Sequence, residues 1–163
     1  MMKCLNWFNS VCRNQDQYKC NRRVFIFTPI AILFMSRHLT PHFTEDEMRC
    51  KGTGQCEMEN DFMKILEKIR LEYGKPIWIN SGFRHPDYNA KVSKTGRTGP
   101  HTYGQACDIK VSGDDANRIV YLALKHGMTG IGVSQKGPHK KRFIHVDNLP
   151  NSDTHPRPTQ WSY

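Results

Sequence analysis

Phe143-Ile144-His145-Val146-Asp147 is the stretch on which the reading of this chain turns. Apolar and polar residues alternate through it, and on a β-strand alternate residues face the same side. Ile144 and Val146 are therefore expected to enter a core. His145 and Asp147 are expected to share the opposite face, with Phe143 at its edge. A histidine and a carboxylate on one face of a core strand are an unusual use of a buried position. Burying such groups without partners is costly.

A second stretch, His101-Thr102-Tyr103-Gly104-Gln105-Ala106-Cys107-Asp108, has the same character. His101 ends a polar loop, Gly104 allows a sharp turn, and Asp108 lies in an apolar strand over 106–111. Cys107 beside it reads as a small buried residue. An imidazole and a carboxylate brought together in this way suit zinc, which takes nitrogen and oxygen ligands at about 2.0–2.2 Å. Two histidines and one carboxylate leave a tetrahedral position open, the mark of a catalytic rather than a structural zinc site. A third stretch, Ser81-Gly82-Phe83-Arg84, is a strand end that delivers an arginine.

Working outward, Thr44-Glu45-Asp46-Glu47 is a capping box and predicts a short helix through Met48. A longer helix is predicted from Glu59 to Tyr73. Phe62, Ile65, Leu66 and Ile69 form its apolar stripe, and Gly74 stops it. Residues 76–80 read as a strand with Trp78 in the core. A short helix is predicted over 87–92 and a Gly-rich polar loop over 93–100. A further helix spans 114–125, with Ile119, Val120 and Ala123 inward. Strands follow over 129–134 and 142–147, with a basic loop between them. Residues 148–163 read as a tail whose Trp161 and Tyr163 pack onto the domain. Helices and strands mix without regular alternation. The expected class is therefore α+β, with helices packed on a small, largely antiparallel sheet.

The chain has 163 residues, enough for one domain and a short extra segment. Residues 1–38 are set aside as an N-terminal extension, and the domain is drawn over 39–163. Residues 24–35 form an apolar run too short to span a bilayer as a helix and interrupted by Pro29. It reads either as a signal or anchor core without a cleavage site, or as sequence upstream of a true start at Met35. No transmembrane span is expected. The formal net charge of +9 favours polyanionic partners, among them nucleic acid and an anionic cell wall. No nucleic-acid-binding motif accompanies the charge, so no stable nucleic-acid partner is expected. Of the six cysteines, Cys4, Cys12 and Cys20 lie in the extension. Cys50 and Cys56 flank a Gly-rich turn at a spacing that permits pairing, but free thiols are the expectation in a reducing cytosol. His38, His42, His126, His139 and His155 have no partner by spacing and read as exposed. His85 reads as capping the turn before Pro86.

The Ser-Gly-Phe-Arg turn, the His-x6-Asp segment, Gly130-Ile131-Gly132-Val133 and the Phe-Ile-His-Val-Asp strand occur in one order over Ser81–Asp147. Together they resemble the zinc D-Ala-D-Ala carboxypeptidases and L-alanyl-D-glutamate endopeptidases, which share a fold with the hedgehog signalling domain. The ending Arg157-Pro158-Thr159-Gln160-Trp161-Ser162-Tyr163 looks like that of small phage-encoded members. The resemblance implies zinc held by His101, Asp108 and His145, and peptidoglycan stem peptides as substrate. It also implies that Arg84 binds substrate or stabilises the oxyanion. The chain is expected to act as a monomer on the bacterial wall, exported or released as a phage lysis or virion protein.

In one respect the sequence departs from the pattern. Several members place an acidic general base three residues before the last zinc histidine, and here Arg142 stands there. Asp147 is the nearest acid, either the base or a partner that orients His145; His139 is a weaker candidate. The rival readings are a metal-containing module that binds the wall or builds a virion without catalysis, and a basic nucleic-acid-binding protein.

Overall fold

The structure is a computed structural model that describes residues 36–163. The choice between signal, anchor and late start, and the placement of Cys4, Cys12 and Cys20, fall outside the described residues. His38 pairs with Thr44 between β1 (His38–Thr40) and β2 (Phe43–Thr44), and the Glu45 amide donates to the Arg37 carbonyl at 2.7 Å.

The Thr44 capping box forms as predicted and opens α1 (Glu45–Met48). Helix α2 (Asn60–Tyr73) is capped by the Glu59 side chain and ends at Gly74, whose φ of 74° is the left-handed conformation that a glycine adopts most cheaply. Its buried face is Phe62, Met63, Leu66, Ile69 and Tyr73, with Ile65 only partly covered. Helix α3 (Pro86–Val92) has His85 as its N-cap, and α4 (Asp114–Lys125) buries Ala116, Ile119, Leu122 and Ala123. Among the described residues no helix is long and apolar enough to cross a membrane.

Five strands form the main sheet: β3 (Ile79–Ser81), β4 (Ala106–Ile109), β5 (Gly130–Ser134), β6 (Phe143–Asp147) and β7 (Thr159–Ser162). They lie in the order β3-β4-β6-β5-β7, and every pair is antiparallel except β5 with β7. This is the expected α+β arrangement. Cys107, Ile109, Ile131, Ile144 and Val146 line one face of the sheet and pack with α2 and α4 into the core.

Two expectations are corrected. Trp78 is 68% exposed rather than core. The chain turns Ile77 and Ile79 inward, and the period of two along the strand sends the indole to the other side, at the sheet edge. Residues 159–162 are a strand rather than tail. A short Thr-Gln-Trp-Ser segment after two prolines carries no alternation strong enough to announce itself, and only the free edge of β5 makes it a strand.

Candidate metal centre

The second face of the sheet is polar, and the strand register assembles it. Asp108 on β4 stands opposite His145 on β6, and Ala106 stands opposite Asp147. On the other side of β6, Gly132 faces His145 and Gly130 faces Asp147. His101 arrives from the loop before β4. Gly104 lets that loop turn with φ 69° while its α-carbon lies so close to the Glu57 carbonyl that a side chain would clash. The preceding loop over 93–100 is anchored by buried Asn89, whose amide donates to Thr95 Oγ1 at 2.9 Å and to the Gly96 carbonyl at 2.8 Å.

His101, Asp108 and His145 are all buried, and their donor atoms converge. His145 Nδ1 is 3.0 Å from Asp108 Oδ1, His101 Nε2 is 3.3 Å from the same oxygen, and the two ring nitrogens are 3.2 Å apart. The remaining atom of each ring is already committed. His101 Nδ1 donates to the Gly82 carbonyl at 2.7 Å, and His145 Nε2 donates to Asp147 Oδ2 at 3.2 Å. The Gly82 carbonyl, which can only accept, places the His101 hydrogen on Nδ1; with a cation at the inner nitrogens, Asp147 takes the His145 hydrogen on Nε2. The inner nitrogens then point lone pairs at each other and at a carboxylate oxygen. Three mutually facing acceptors in a buried place call for a cation. Ligands about 2.0–2.1 Å from a tetrahedral zinc lie about 3.3–3.4 Å from one another, close to the spacing found here. The donor set fits a zinc-type ion by chemistry and by distance.

Electrostatics fit the same picture. Burial alone would raise the Asp108 pKa, but the two histidines hold it far below the usual carboxylate range. Burial pushes His101 down. Burial also pushes His145 down, but hydrogen bonds to the Asp108 and Asp147 carboxylates outweigh it and raise the ring. In the absence of a cation, a proton on His145 is what relieves the cluster.

Arg84 donates through Nη2 to Asp108 Oδ2 at 2.5 Å and through Nε to Ser81 Oγ at 2.8 Å. It thereby turns Oδ1 of Asp108 toward the histidines while its guanidinium edge stays at the cleft. Asp147 meets the His145 ring at Nε2, away from the converging atoms. It is wholly buried behind the His145 ring, its oxygens accepting from Arg157 Nε and Nη2 at 2.9 and 2.8 Å and from the Leu149 amide at 3.2 Å. Burial alone would raise its pKa, but the His145 and Arg157 contacts lower it to about 2. Both oxygens of Asp147 are thus engaged, Oδ2 with His145 Nε2 as well as with Arg157. His139 Nδ1 lies 3.2 Å from Ser112 Oγ. Arg142 donates to the Gly137 carbonyl at 2.9 Å.

The sequence alone missed several contributors. His42 and His126, read as unpartnered, are paired with Glu67 and Glu72 from α2, contacts that sequence spacing does not reveal. Trp161 does pack onto the domain, but over the site itself, its ring 5.3 Å from that of His145. Arg157 and His155 reach the cleft from the segment read as tail. The signal for Trp161 was present in Gly132. A Cβ there would meet the indole ring at 2.8 Å, so the glycine is space reserved for it.

The cluster opens on a cleft of about 590 Å³ walled by Val92, Pro100, Phe143, Trp161 and Tyr163. A second hollow of about 410 Å³ shares Arg84, Val92, Asp108 and Phe143 with the first and continues past the cluster to Lys51 and Lys141. No curated protein matches the chain. A family model, Peptidase M15, matches residues 41–147, more than half of the chain and the whole span that carries the converging ligands. On that match, and on the buried His-Asp-His cluster within it, the chain belongs to the peptidase M15 family.

Proposed function

We propose that the chain is a zinc-dependent peptidase that hydrolyses amide bonds in bacterial peptidoglycan stem peptides, in the manner of an endopeptidase. The observation that carries the reading is the convergence of three potential ligand atoms on one buried point, open on one side to a cleft. Zinc bound there supplies a Lewis acid and an acidified water. The residues do the rest. His101, Asp108 and His145 are the ligand set. Arg84 fixes Asp108 and presents guanidinium N–H groups to the cleft, where a carbonyl oxygen gaining charge would be stabilised. Asp147 orients His145. The aromatic wall of Phe143, Trp161 and Tyr163 excludes water from one side of the substrate.

The endopeptidase form is supported by the two hollows meeting at Arg84 and Asp108. A substrate can run past the cluster in both directions, whereas a carboxypeptidase needs one end closed by a carboxylate pocket.

One observation favours a second reading, a wall-binding or virion module that keeps its metal without turnover. Among the described residues lining both hollows, Asp108 is the only acid, and it is a ligand. Mass analysis of peptidoglycan digested with and without chelator decides. The peptidase reading expects internal stem-peptide cleavage abolished by chelation and by His101→Ala. Intact peptides with a zinc-loaded protein would establish the module instead.

A further inference from the structure

The family match ends at Asp147, yet the wall of the cluster is finished by residues beyond it. After Asp147 the chain loops out and returns as β7, beside β5, with Gly132 paired to Trp161. On that return Arg157 meets both oxygens of Asp147, its side chain only 7% exposed. Its Nη1 donates to the Pro156 carbonyl at 2.9 Å, and its guanidinium lies 5.7 Å from the Trp161 ring centre. Its backbone amide is held by Asn151 Oδ1 at 2.8 Å. The arginine is therefore fixed from three directions before it touches the carboxylate.

The clamp has a chemical consequence. A carboxylate that accepts two parallel bonds from a guanidinium cannot rotate freely. Asp147 Oδ1 is filled by Arg157 and Leu149, and Oδ2 is left with one direction to offer, toward His145 Nε2. That hydrogen bond favours the proton on Nε2, against the pull of Asp108 Oδ1, 3.0 Å from Nδ1. We propose that Arg157 is a positioning residue of the metal centre: by clamping Asp147 it holds His145 in its Nε2–H form and aims the Nδ1 lone pair at the point shared with His101 and Asp108. The C-terminal strand is thus a working part of the site and more than a staple for the chain end. The inference rests on the zinc reading above and deepens it.

The test uses the full chain and two readouts. Zinc affinity is measured by chelator competition in wild type, Arg157→Ala and Arg157→Lys. The expected loss is up to about 10-fold for Arg157→Ala, the low end of the range for partners bonded directly to a ligand because Arg157 stands one step further back, and less for Arg157→Lys, which keeps the charge but not the parallel pair. Nitrogen NMR of the metal-free protein, at a pH where the ring is neutral, is expected to show His145 protonated at Nε2 in wild type and as a mixture of tautomers in Arg157→Ala. A folded Arg157→Ala with unchanged affinity and unchanged tautomer overturns the inference. If Arg157→Ala does not fold, because Asp147 is left buried without its counter-charge, Arg157→Lys decides by the same two criteria. A wild type that takes up no zinc overturns the zinc reading, and the tautomer measurement then judges the clamp alone.

Discussion

The two faces of the central sheet use the same strands for opposite purposes. On β6, Ile144 and Val146 enter the core, while His145 and Asp147, one residue away, build the polar cluster. On β5 the contrast is sharper. Ile131 and Val133 face the core side, and the alternate positions are Gly130 and Gly132, with no side chain at all. The core face is held by burial, which is non-directional and tolerates repacking. The site face is held by directed bonds, and each buried polar group there has a named partner. It therefore needs empty space as much as it needs side chains. A Cβ on Gly130 would lie 2.1 Å from an Asp147 oxygen, and one on Gly132 would press into Trp161. The difference teaches that a pattern which looks weak for a strand, Gly-x-Gly, is what a buried polar site requires of its neighbour.

The largest expected effect breaks the site face alone. His145→Ala should cost at least about 100-fold in zinc affinity, as loss of a direct ligand exceeds the loss of a partner behind one. It should also abolish any hydrolysis. Chelator competition and a peptidoglycan digest check both, with circular dichroism to show that the core face still folds. Next comes the reverse experiment. Ile144→Ala removes a fully buried side chain from the other side of the same strand and should cost about 2–5 kcal/mol in denaturant unfolding. Zinc affinity of the folded fraction should change far less than in His145→Ala. If both substitutions weaken zinc equally, the two faces are not separable.

Gly130→Ala sharpens the claim about reserved space. The added methyl meets the Asp147 carboxylate, and overpacking of this kind costs about 1–3 kcal/mol. Its zinc affinity should fall too, since Asp147 must move and His145 with it. An alanine variant as stable as wild type would show that the strand relaxes without cost. The smallest effect lies far from the site. Glu67 on α2 accepts from Thr40 Oγ1 at 2.8 Å and pairs with His42, tying the first hairpin to the helix. Burial alone would raise its pKa, but the His42 and Thr40 hydrogen bonds bring it below the ordinary 4.5. A carboxylate lowered in the folded state contributes stability above its unfolded pKa and loses it as the pH falls through the folded value. Glu67→Gln should therefore cost about 1 kcal/mol or less near neutrality and flatten part of the stability loss below about pH 4.5. Thermal melts across that range measure it, and site chemistry should not respond.

Sequence by itself determined the elements with local rules. The Thr44 box, the α2 stripe with its Gly74 stop, and α4 are properties of residues within a turn or two of each other, where capping and periodicity act. It also determined the candidate ligands. His101 and Asp108 are separated by only six residues of chain, and the alternation in Phe143–Asp147 fixes which side chains share a face. Tertiary structure decided what those residues do. Asp147 was equally near to being a base or an orienting partner in sequence, and only the fold shows it wholly buried and bound by Arg157 from ten residues on. Trp78, between two isoleucines, reads as core, and Trp161, between Gln160 and Ser162, reads as tail. One is exposed at a sheet edge and the other covers His145, because an edge strand leaves one side open while β5 had an edge to fill. Local patterns encode which way a side chain points. They do not encode which distant groups meet it there, and at this site those meetings decide the chemistry.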